Sequence, residues 1–287
     1  MLAKSHLRLL KWPGVGALFL WMIVPLSMTV YFSFMRYNLL YPEQGGFDGL
    51  LNYEFFITDD AFWPAIFNSV LLVGSILAIS VVIGVAVALL IDNAFPGRGI
   101  VRVLLISPFF IMPTVNALLW KHMFMHPVYG FFAYLWQMFG LEPVDWMADL
   151  PLLSIIIMVS WQWTPFALLI FITSLQSMDR EQLEAAQIDG AGFWMKFRYL
   201  ILPHLERPIA VVIMVQTIFH LAIFAEIFVS TSGGPGYQST NLAFLIFKQA
   251  LLQFDVGVAS AGGVFAIILA NIVAFFLIRL IGRSMQV

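Results

Sequence analysis

Six stretches that we interpret as membrane-spanning each run for at least 18 residues without an Asp, Glu, Lys or Arg. They lie between Lys11 and Arg36, Asp60 and Asp92, Arg102 and Lys121, Asp149 and Asp179, Arg207 and Glu226, and Asp255 and Arg279. An apolar α-helix of about 20 residues crosses the roughly 30 Å hydrocarbon core of a bilayer. The pattern predicts six transmembrane helices, at about residues 12–35, 62–91, 103–121, 151–177, 208–229 and 256–280.

The composition agrees with this interpretation. Hydrophobic residues make up 61% of the chain and charged residues 10%, with a mean hydropathy of +0.93, whereas soluble domains carry about 25% charged residues. A transmembrane β-barrel would need segments of roughly ten residues with alternating polarity, and these stretches do not alternate. The first stretch exceeds the ~7 to 15 apolar residues of a signal peptide, so we expect it to be retained. We therefore predict an all-α membrane protein, with residues 1–287 forming a single transmembrane domain.

The basic residues predict the orientation. Six spans place both termini on one side, and eleven of the 14 Lys and Arg residues lie there, in the termini and in the loops at 92–102 and 179–207. They are Lys4, Arg8, Lys11, Arg98, Arg102, Arg180, Lys196, Arg198, Arg207, Arg279 and Arg283. Since positively charged loops remain in the cytoplasm, we expect a multi-pass protein with both termini cytoplasmic. The opposite loops, at 37–60, 122–149 and 230–255, are too short for a further domain of ordinary size.

Several chemistries find no support in the sequence. The chain has no Cys, which excludes disulfides and thiolate metal sites. It contains no phosphate-binding G-x-x-x-x-G-K-[ST] motif. No set of residues has the spacing of a catalytic site or a metal site. We predict that the chain is not an enzyme, that it holds no cofactor or metal, and that it binds no nucleic acid.

The loop at 178–207 concentrates charged, small and aromatic residues between two apolar runs. Asp179 is placed to cap a helix over 180–188, with Gln182 completing a capping box. Gly190 supplies the positive φ that ends such a helix. Phe193 and Phe197 then share one face of a second short helix, which we expect Pro203 to end.

Within this loop, Glu184-Ala185-Ala186, Asp189-Gly190-Ala191, Phe197 and Leu202-Pro203 resemble the cytoplasmic EAA loop of permease subunits from bacterial ABC importers, in the carbohydrate-importer branch. Met178-Asp179 departs from the Ile-Pro common in that family. The resemblance implies a type I ABC importer permease fold in the bacterial inner membrane, with this loop coupling to ATPases. It also implies the partners: a second permease subunit, either homologous in a heterodimer or identical, two cytoplasmic ATPase subunits that hold ATP and Mg, and a periplasmic or extracellular solute-binding protein.

A second resemblance lies in the loop at 230–255. The segment Gly233-Gly234-Pro235-Gly236-Tyr237 is too rich in Gly and Pro to be helical. It resembles the outer loop of sugar permeases that faces the binding protein. The flanking sequence is most similar to that of permeases for polyols such as sorbitol and mannitol. A plain connection with aromatic membrane anchors is the alternative for these outer loops.

Polar residues within hydrocarbon are costly, so they are the candidates for a substrate path. They are Asn116, Trp120, Trp161, Gln162, Gln216, His220 and Glu226. Gln162 stands between two indoles, and aromatic faces beside amides suit the C–H faces and hydroxyls of a sugar or polyol. Other roles stay open: membrane-belt anchoring for the Trp residues, helix–helix hydrogen bonding for His220, and a headgroup-level position for Glu226 near the outer surface.

Two functions follow from these patterns. The first is the transmembrane subunit of an ATP-driven importer for a sugar or polyol. The alternative is an ion-coupled secondary transporter or channel for a small polar solute. That alternative needs buried ionisable residues, for which the predicted spans offer only Glu226 near one end.

Overall fold

The computed structural model describes residues 2–93 and 95–284, with the backbone alone for residues 2–11, 180, 278 and 280–284. Lys4, Arg8, Lys11, Arg180 and Arg283 therefore lie outside the described side chains. The first elements are α1 (Leu2–Ser33), β1 (Met35–Arg36), β2 (Gly46–Phe47), α2 (Leu51–Thr58) and α3 (Phe62–Asp92). They are followed by α4 (Arg98–Ile106), α5 (Pro113–Leu119), α6 (Phe131–Met138), α7 (Trp146–Asp149) and α8 (Pro151–Gln176).

The rest of the described chain is also helical. It comprises α9 (Arg180–Ile188), α10 (Phe193–Lys196), α11 (Leu202–His220), α12 (Ala225–Ser230), α13 (Leu242–Phe247) and α14 (Val256–Ser284). Short 3₁₀ turns occur at Pro42–Gln44 and Ser107–Phe110, and π turns at Trp120–Phe124, Phe197–Ile201 and Lys248–Leu252. The run from Leu242 to Leu252 lies in the loop at 230–255, where the sequence pattern had shown no helix.

Among the described residues, five helices are long and apolar enough to cross a membrane, or six if one bent pair counts as a single span. The five are Trp12–Ser33, Phe62–Asp92, Pro151–Gln176, Phe193–His220 and Val256–Leu277. The bent pair is Arg98–Phe110 with Pro113–Phe124. The all-α membrane fold is therefore confirmed, while the third and fifth spans differ in shape from the prediction.

The prediction of one straight helix over 103–121 is wrong. The two halves of this span meet at an angle of 105°, and the break lies at Ile111 and Met112. Pro113 disfavours helical geometry in the residue before it, and Met112 is accordingly extended, with φ −63° and ψ 141°. The break leaves backbone polar groups that need partners from elsewhere in the chain.

The predicted limits of the fifth span, 208–229, are wrong at both ends. Pro203 does not end a helix, because it lies in the first turn of α11, directly after the wider π turn Phe197–Ile201 that relieves the clash of its ring. The span runs on from Phe193 and stops at His220. Four non-helical residues then precede α12, and Asn241 donates to the Ile223 carbonyl there at 2.6 Å.

The contacts divide the chain into two compact units, where the sequence predicted one domain over 1–287. The first is Met1–Trp63 with Leu245–Leu269. Here Asn52 donates to the carbonyls of Ser33 and Met35, which lie where α1 gives way to β1. Gly262 lies so close to Phe56 that a Cβ would overlap the ring. The absence of a side chain at Gly262 therefore lets α14 pack closely against Phe56 of α2.

The second unit is Pro64–Phe244 with Ala270–Val287. Its core is an apolar cluster between α3, α8 and α11 that includes Phe171, Leu168 and Leu205. A Cβ on Gly84 would come within 3.1 Å of Ala167 and of Phe171. The absence of a side chain at Gly84 therefore sets how closely α3 approaches α8.

Candidate functional site

Gln162 on α8 holds the broken third span in place. Its Nε2 donates to the Ile111 carbonyl at 2.5 Å, at the break itself. Its Oε1 accepts from Asn116 Nδ2 at 3.0 Å, and Asn116 Nδ2 also donates to the Met158 carbonyl at 3.1 Å. Both side chains are buried. This amide pair therefore ties the break and α5 to α8.

One polar atom of the amide pair has no hydrogen-bond partner within the described chain. Asn116 Oδ1 is buried and has no hydrogen-bond partner among the described residues. A buried acceptor without a partner costs roughly 1 to 3 kcal/mol. Such an atom is a candidate to accept a hydrogen bond from a bound hydroxyl group.

Trp163, the next residue on α8, joins this helix to α11. Gln216 Nε2 donates to the Trp163 carbonyl at 3.1 Å. The His220 ring meets the Trp163 indole edge to face, with ring centroids 4.9 Å apart. His220 is only 1% exposed. Gln216 Oε1 and both His220 ring nitrogens lack hydrogen-bond partners within the described chain, so unpaired polar atoms gather around one indole.

Trp161 lies on a different face of α8, next to Trp120 of the π turn Trp120–Phe124. They meet edge to face at 5.7 Å and line a cavity of about 550 Å³. Ser160 and Thr164 also line it, and most of the other lining side chains are apolar. The sequence analysis missed Ser160 and Thr164, although both lie within one turn of Trp161 on α8. The predicted path residues are thus split between two faces of α8.

For Glu226 the sequence left two positions open, in the substrate path or at headgroup level near the outer surface. A continuous fifth helix would have placed it near the outer surface. Because the helix ends at His220, Glu226 instead lies on α12, which packs against α5 and α8. Its side chain is buried, at 4% exposure. Glu226 therefore lies on a helix that packs against the two helices carrying Asn116 and Gln162.

The loop between α8 and α11 forms the first of the two helices that the sequence predicts, whereas the second, which begins at Phe193, runs on into the fifth span. Helix α9 has the predicted limits, and Gly190 has φ +80°. The Ala191 amide donates to the Ala186 carbonyl at 2.9 Å, and the Gly190 amide to the Gln187 carbonyl at 3.1 Å. This is a Schellman motif. Ala186 and Ala191 therefore belong to the turn as well as to the motif.

The start of α9 differs in detail from the prediction. Asp179 caps the helix by accepting from the Glu181 amide at 3.0 Å, and the described hydrogen bonds include none between Gln182 and Asp179. Glu184, Ala185 and Asp189 are exposed, and Ile188 is 87% exposed. Phe197 instead packs against the apolar core of the second unit. The exposed face of α9 thus combines carboxylates with one large apolar side chain.

The segment Gly233–Tyr237 is held in place by a hydrogen-bonding residue of α3. Asn68 Nδ2 donates to the Tyr237 and Thr240 carbonyls, both at 2.9 Å. Gly233 is buried with φ +83°, and a Cβ there would overlap Thr240 and Phe244. Gly234 is half-buried, whereas Pro235, Gly236 and Tyr237 are exposed. Gly233 therefore shapes the turn, and the three exposed residues form its outer surface.

The fold has close structural counterparts. The structure of a bacterial ABC transporter involved in the import of the acidic polysaccharide alginate matches with a TM-score of 0.80, covering 98% of this chain and 96% of that one at 20% identity. The alginate transporter in complex with its alginate-bound periplasmic protein gives a TM-score of 0.77 at 20% identity, covering 96% and 94%. This likeness confirms the predicted type I ABC importer permease fold.

Sequence relatives agree with the fold. A probable ABC transporter permease protein from Sinorhizobium fredii is 37% identical over 253 residues, which is 87% of this chain and 81% of the relative. The trehalose/maltose transport system permease protein MalF from Thermococcus litoralis is 30% identical over 275 residues, covering 94% and 91%. A sulfoquinovosyl glycerol transport system permease from Agrobacterium fabrum is 29% identical, covering 95% and 89%.

The relatives are permease subunits rather than enzymes, which confirms the prediction that this chain is a transport subunit. The sequence profile described as the inner membrane component of binding-protein-dependent transport systems matches residues 72–287. Together with the relatives, this match shows that the chain belongs to that family of ABC transporter permeases.

Proposed function

We propose that this chain is the transmembrane subunit of an ATP-driven importer that moves a sugar or polyol, delivered by a solute-binding protein, into the cytoplasm. Relatives named for trehalose, maltose and sulfoquinovosyl glycerol transport support a carbohydrate substrate. The resemblance of the 230–255 loop to polyol permeases narrows the class to sorbitol-like or mannitol-like compounds. No observation favours the ion-coupled alternative, since the family depends on binding proteins.

One observation supports a sugar or polyol as the substrate. Gln216 Oε1, Asn116 Oδ1 and both His220 nitrogens are buried without partners among the described residues. They lie along the face of α8 that carries Gln162 and Trp163. A sugar or polyol supplies hydroxyl groups for such atoms and C–H faces for the indole.

This arrangement assigns a role to each residue. Gln216 and Asn116 accept hydrogen bonds from substrate hydroxyls, and His220 accepts or donates through its ring nitrogens. Trp163 packs against the ring or chain carbons of the substrate. Gln162 holds the broken span in position, and Glu226 closes the same face from α12. Trp120 and Trp161 provide an aromatic wall on the other side of α8.

Replacing Gln216 by Leu and His220 by Phe tests this assignment, because both changes remove hydrogen bonding at similar size. The loss of one substrate hydrogen bond should raise the KM for uptake by roughly 3- to 10-fold. The control is Gln176→Leu, since Gln176 is an exposed residue at the end of α8. Wild-type KM values in both site variants would contradict the assignment.

The coupling role of α9 is the second part of the proposal. Glu184 offers an exposed carboxylate beside Ile188, and the turn at Gly190 fixes this face relative to α11. A cytoplasmic ATPase subunit that holds ATP and Mg would dock on this face. Two ATPases then require two such loops, the second from a homologous permease chain or from another copy.

Glu184→Ala should weaken ATPase docking by roughly 2 to 5 kcal/mol if the carboxylate is desolvated at the interface. We expect the purified complex to lose its ATPase while the permease keeps its thermal stability. Gln187→Ala is the control, because Gln187 is an exposed neighbour on the same helix. Wild-type ATPase retention in Glu184→Ala would contradict the coupling role.

The proposed orientation places α9 and both termini in the cytoplasm and Pro235–Tyr237 outside, facing the binding protein. The chain has no Cys, so single Cys probes at Gln187 and Gln238 report each side separately. An impermeant reagent applied to intact cells should label Gln238→Cys and not Gln187→Cys. The reverse labelling would overturn the orientation.

A further inference from the structure

A second cavity, of about 690 Å³, lies between the end of α3 and the start of the span formed by α10 and α11. One wall carries Val82, Ala86 and Leu90, and the other carries Phe193, Trp194 and Phe197. Eleven of its twelve lining residues are apolar, and the twelfth is Asn93 at the end of α3. The volume lies within the range of about 300 to 1,000 Å³ for ligand sites.

The walls of this cavity are open to their surroundings. Trp194 is 75% exposed, and Val82 and Leu90 on the opposite wall are also exposed. Both walls belong to membrane-spanning helices. In a soluble protein such a surface would need a partner, whereas within a membrane a lipid chain can cover it.

Two cations are sequence neighbours of Phe197, which lines the cavity. Lys196 and Arg198 stand immediately before and after Phe197, so at about 100° per residue they project to either side of it. Lys196 Nζ donates to Gln187 Oε1 at 3.4 Å, and the Arg198 guanidinium lies 5.8 Å from the Tyr199 ring centroid. Within the described part of the chain, neither has a carboxylate partner. Both cations are therefore available to an anion beside Phe197.

We propose that this cavity binds an anionic phospholipid, with an acyl chain between α3 and α10 and the phosphate beside Lys196 and Arg198. An apolar slot with two cations next to one of its lining residues in the sequence suits an amphiphile with an anionic head. Basic side chains near a membrane surface attract anionic lipids in this way. The site borders α10, so a bound lipid would brace the helix that joins the Gly190 turn to the fifth span. The inference goes beyond sugar import and does not depend on it.

Native mass spectrometry of the complex purified with its partner subunits tests the site. The complex is placed in nanodiscs of phosphatidylglycerol or of phosphatidylcholine with identical acyl chains, and retained lipid is counted. We expect wild-type protein to retain phosphatidylglycerol preferentially. The double variant Lys196→Gln/Arg198→Gln should lower that preference by about 30-fold.

Filling the cavity with a larger side chain tests whether an acyl chain occupies it. Ala86→Phe should abolish retention of both lipids, while the control Ala78→Phe, exposed on the same helix outside the cavity, should not. Equal retention in the two Phe variants would overturn the proposal. So would an unchanged headgroup preference in the double variant, or a wild-type complex without retained lipid, which would show that the partner permease covers the cavity.

Discussion

Two helix breaks in this protein are stabilised in opposite ways. The turn at Gly190 is exposed, and its backbone amides bond to carbonyls at most five residues away. A side chain at Gly190 would meet open space, so only the φ of +80° requires glycine there. This break depends on nothing outside its own segment.

The break at Ile111 and Met112 depends on distant residues. Its Ile111 carbonyl is bonded by Gln162, 51 residues along the chain, and the first turn beyond it is fixed to α8 through Asn116. Within hydrocarbon, water does not replace such partners. The comparison shows that a helix break in the membrane is part of tertiary structure, whereas one at the surface is local.

The largest effect should come from Gln162→Leu. This change leaves the Ile111 carbonyl without its partner and removes one of the two acceptors of Asn116 Nδ2, and an unsatisfied buried group costs roughly 1 to 3 kcal/mol. We expect a lower thermal midpoint of the purified protein in nanodiscs and loss of uptake. Thermal unfolding followed by intrinsic Trp fluorescence measures the first effect.

The matched control for this break is Gln176→Leu, at the exposed end of the same helix. It should keep the wild-type midpoint. If Gln162→Leu also kept the wild-type midpoint, the break would not depend on the amide bridge, and the contrast with Gly190 would fail.

A smaller effect is expected at the surface break. Gly190→Val forces a β-branched residue into positive φ, at about 1 to 3 kcal/mol. Gly192→Val is the control, because Gly192 has φ −68° and open space at its Cβ. Hydrogen exchange of the α9 amides should speed up in the first variant alone, while the midpoint of the whole protein changes little. Equal exchange in the two variants would show that the Gly190 conformation is not required.

The smallest effect should come from the cap of α9. Asp179→Ala removes the acceptor for the Glu181 amide, and the loss of a cap costs about 1 kcal/mol. Gln182→Ala should have no effect on exchange in the first turn, since the predicted capping box does not form. If Gln182→Ala accelerated exchange as much as Asp179→Ala, this result would show that the capping box does form.

Local features were predictable from the sequence. The limits of α9 and the positive φ of Gly190 both follow from residues whose geometry is set by their neighbours or by their size. Long uncharged stretches likewise predicted the membrane helices, because the bilayer sets their length.

Features that depend on tertiary contacts were not predictable. The sequence predicts that Pro203 ends a helix, yet the π turn before it accommodates the proline ring. The end of the fifth span at His220 depends on Asn241, which bonds the freed Ile223 carbonyl from outside the span. Trp120 and Gln162 were both predicted to line the substrate path, although they lie at different sites around α8.

Uptake into proteoliposomes tests the central claim most directly. The purified complex, with its ATPase and binding protein, is supplied with labelled sorbitol, mannitol, maltose or trehalose. We predict that at least one is accumulated only when ATP and the binding protein are both present, and that an imposed proton or sodium gradient has no effect. Accumulation driven by an ion gradient without ATP, or transport of none of these compounds, would contradict the assignment as an ATP-driven sugar or polyol importer.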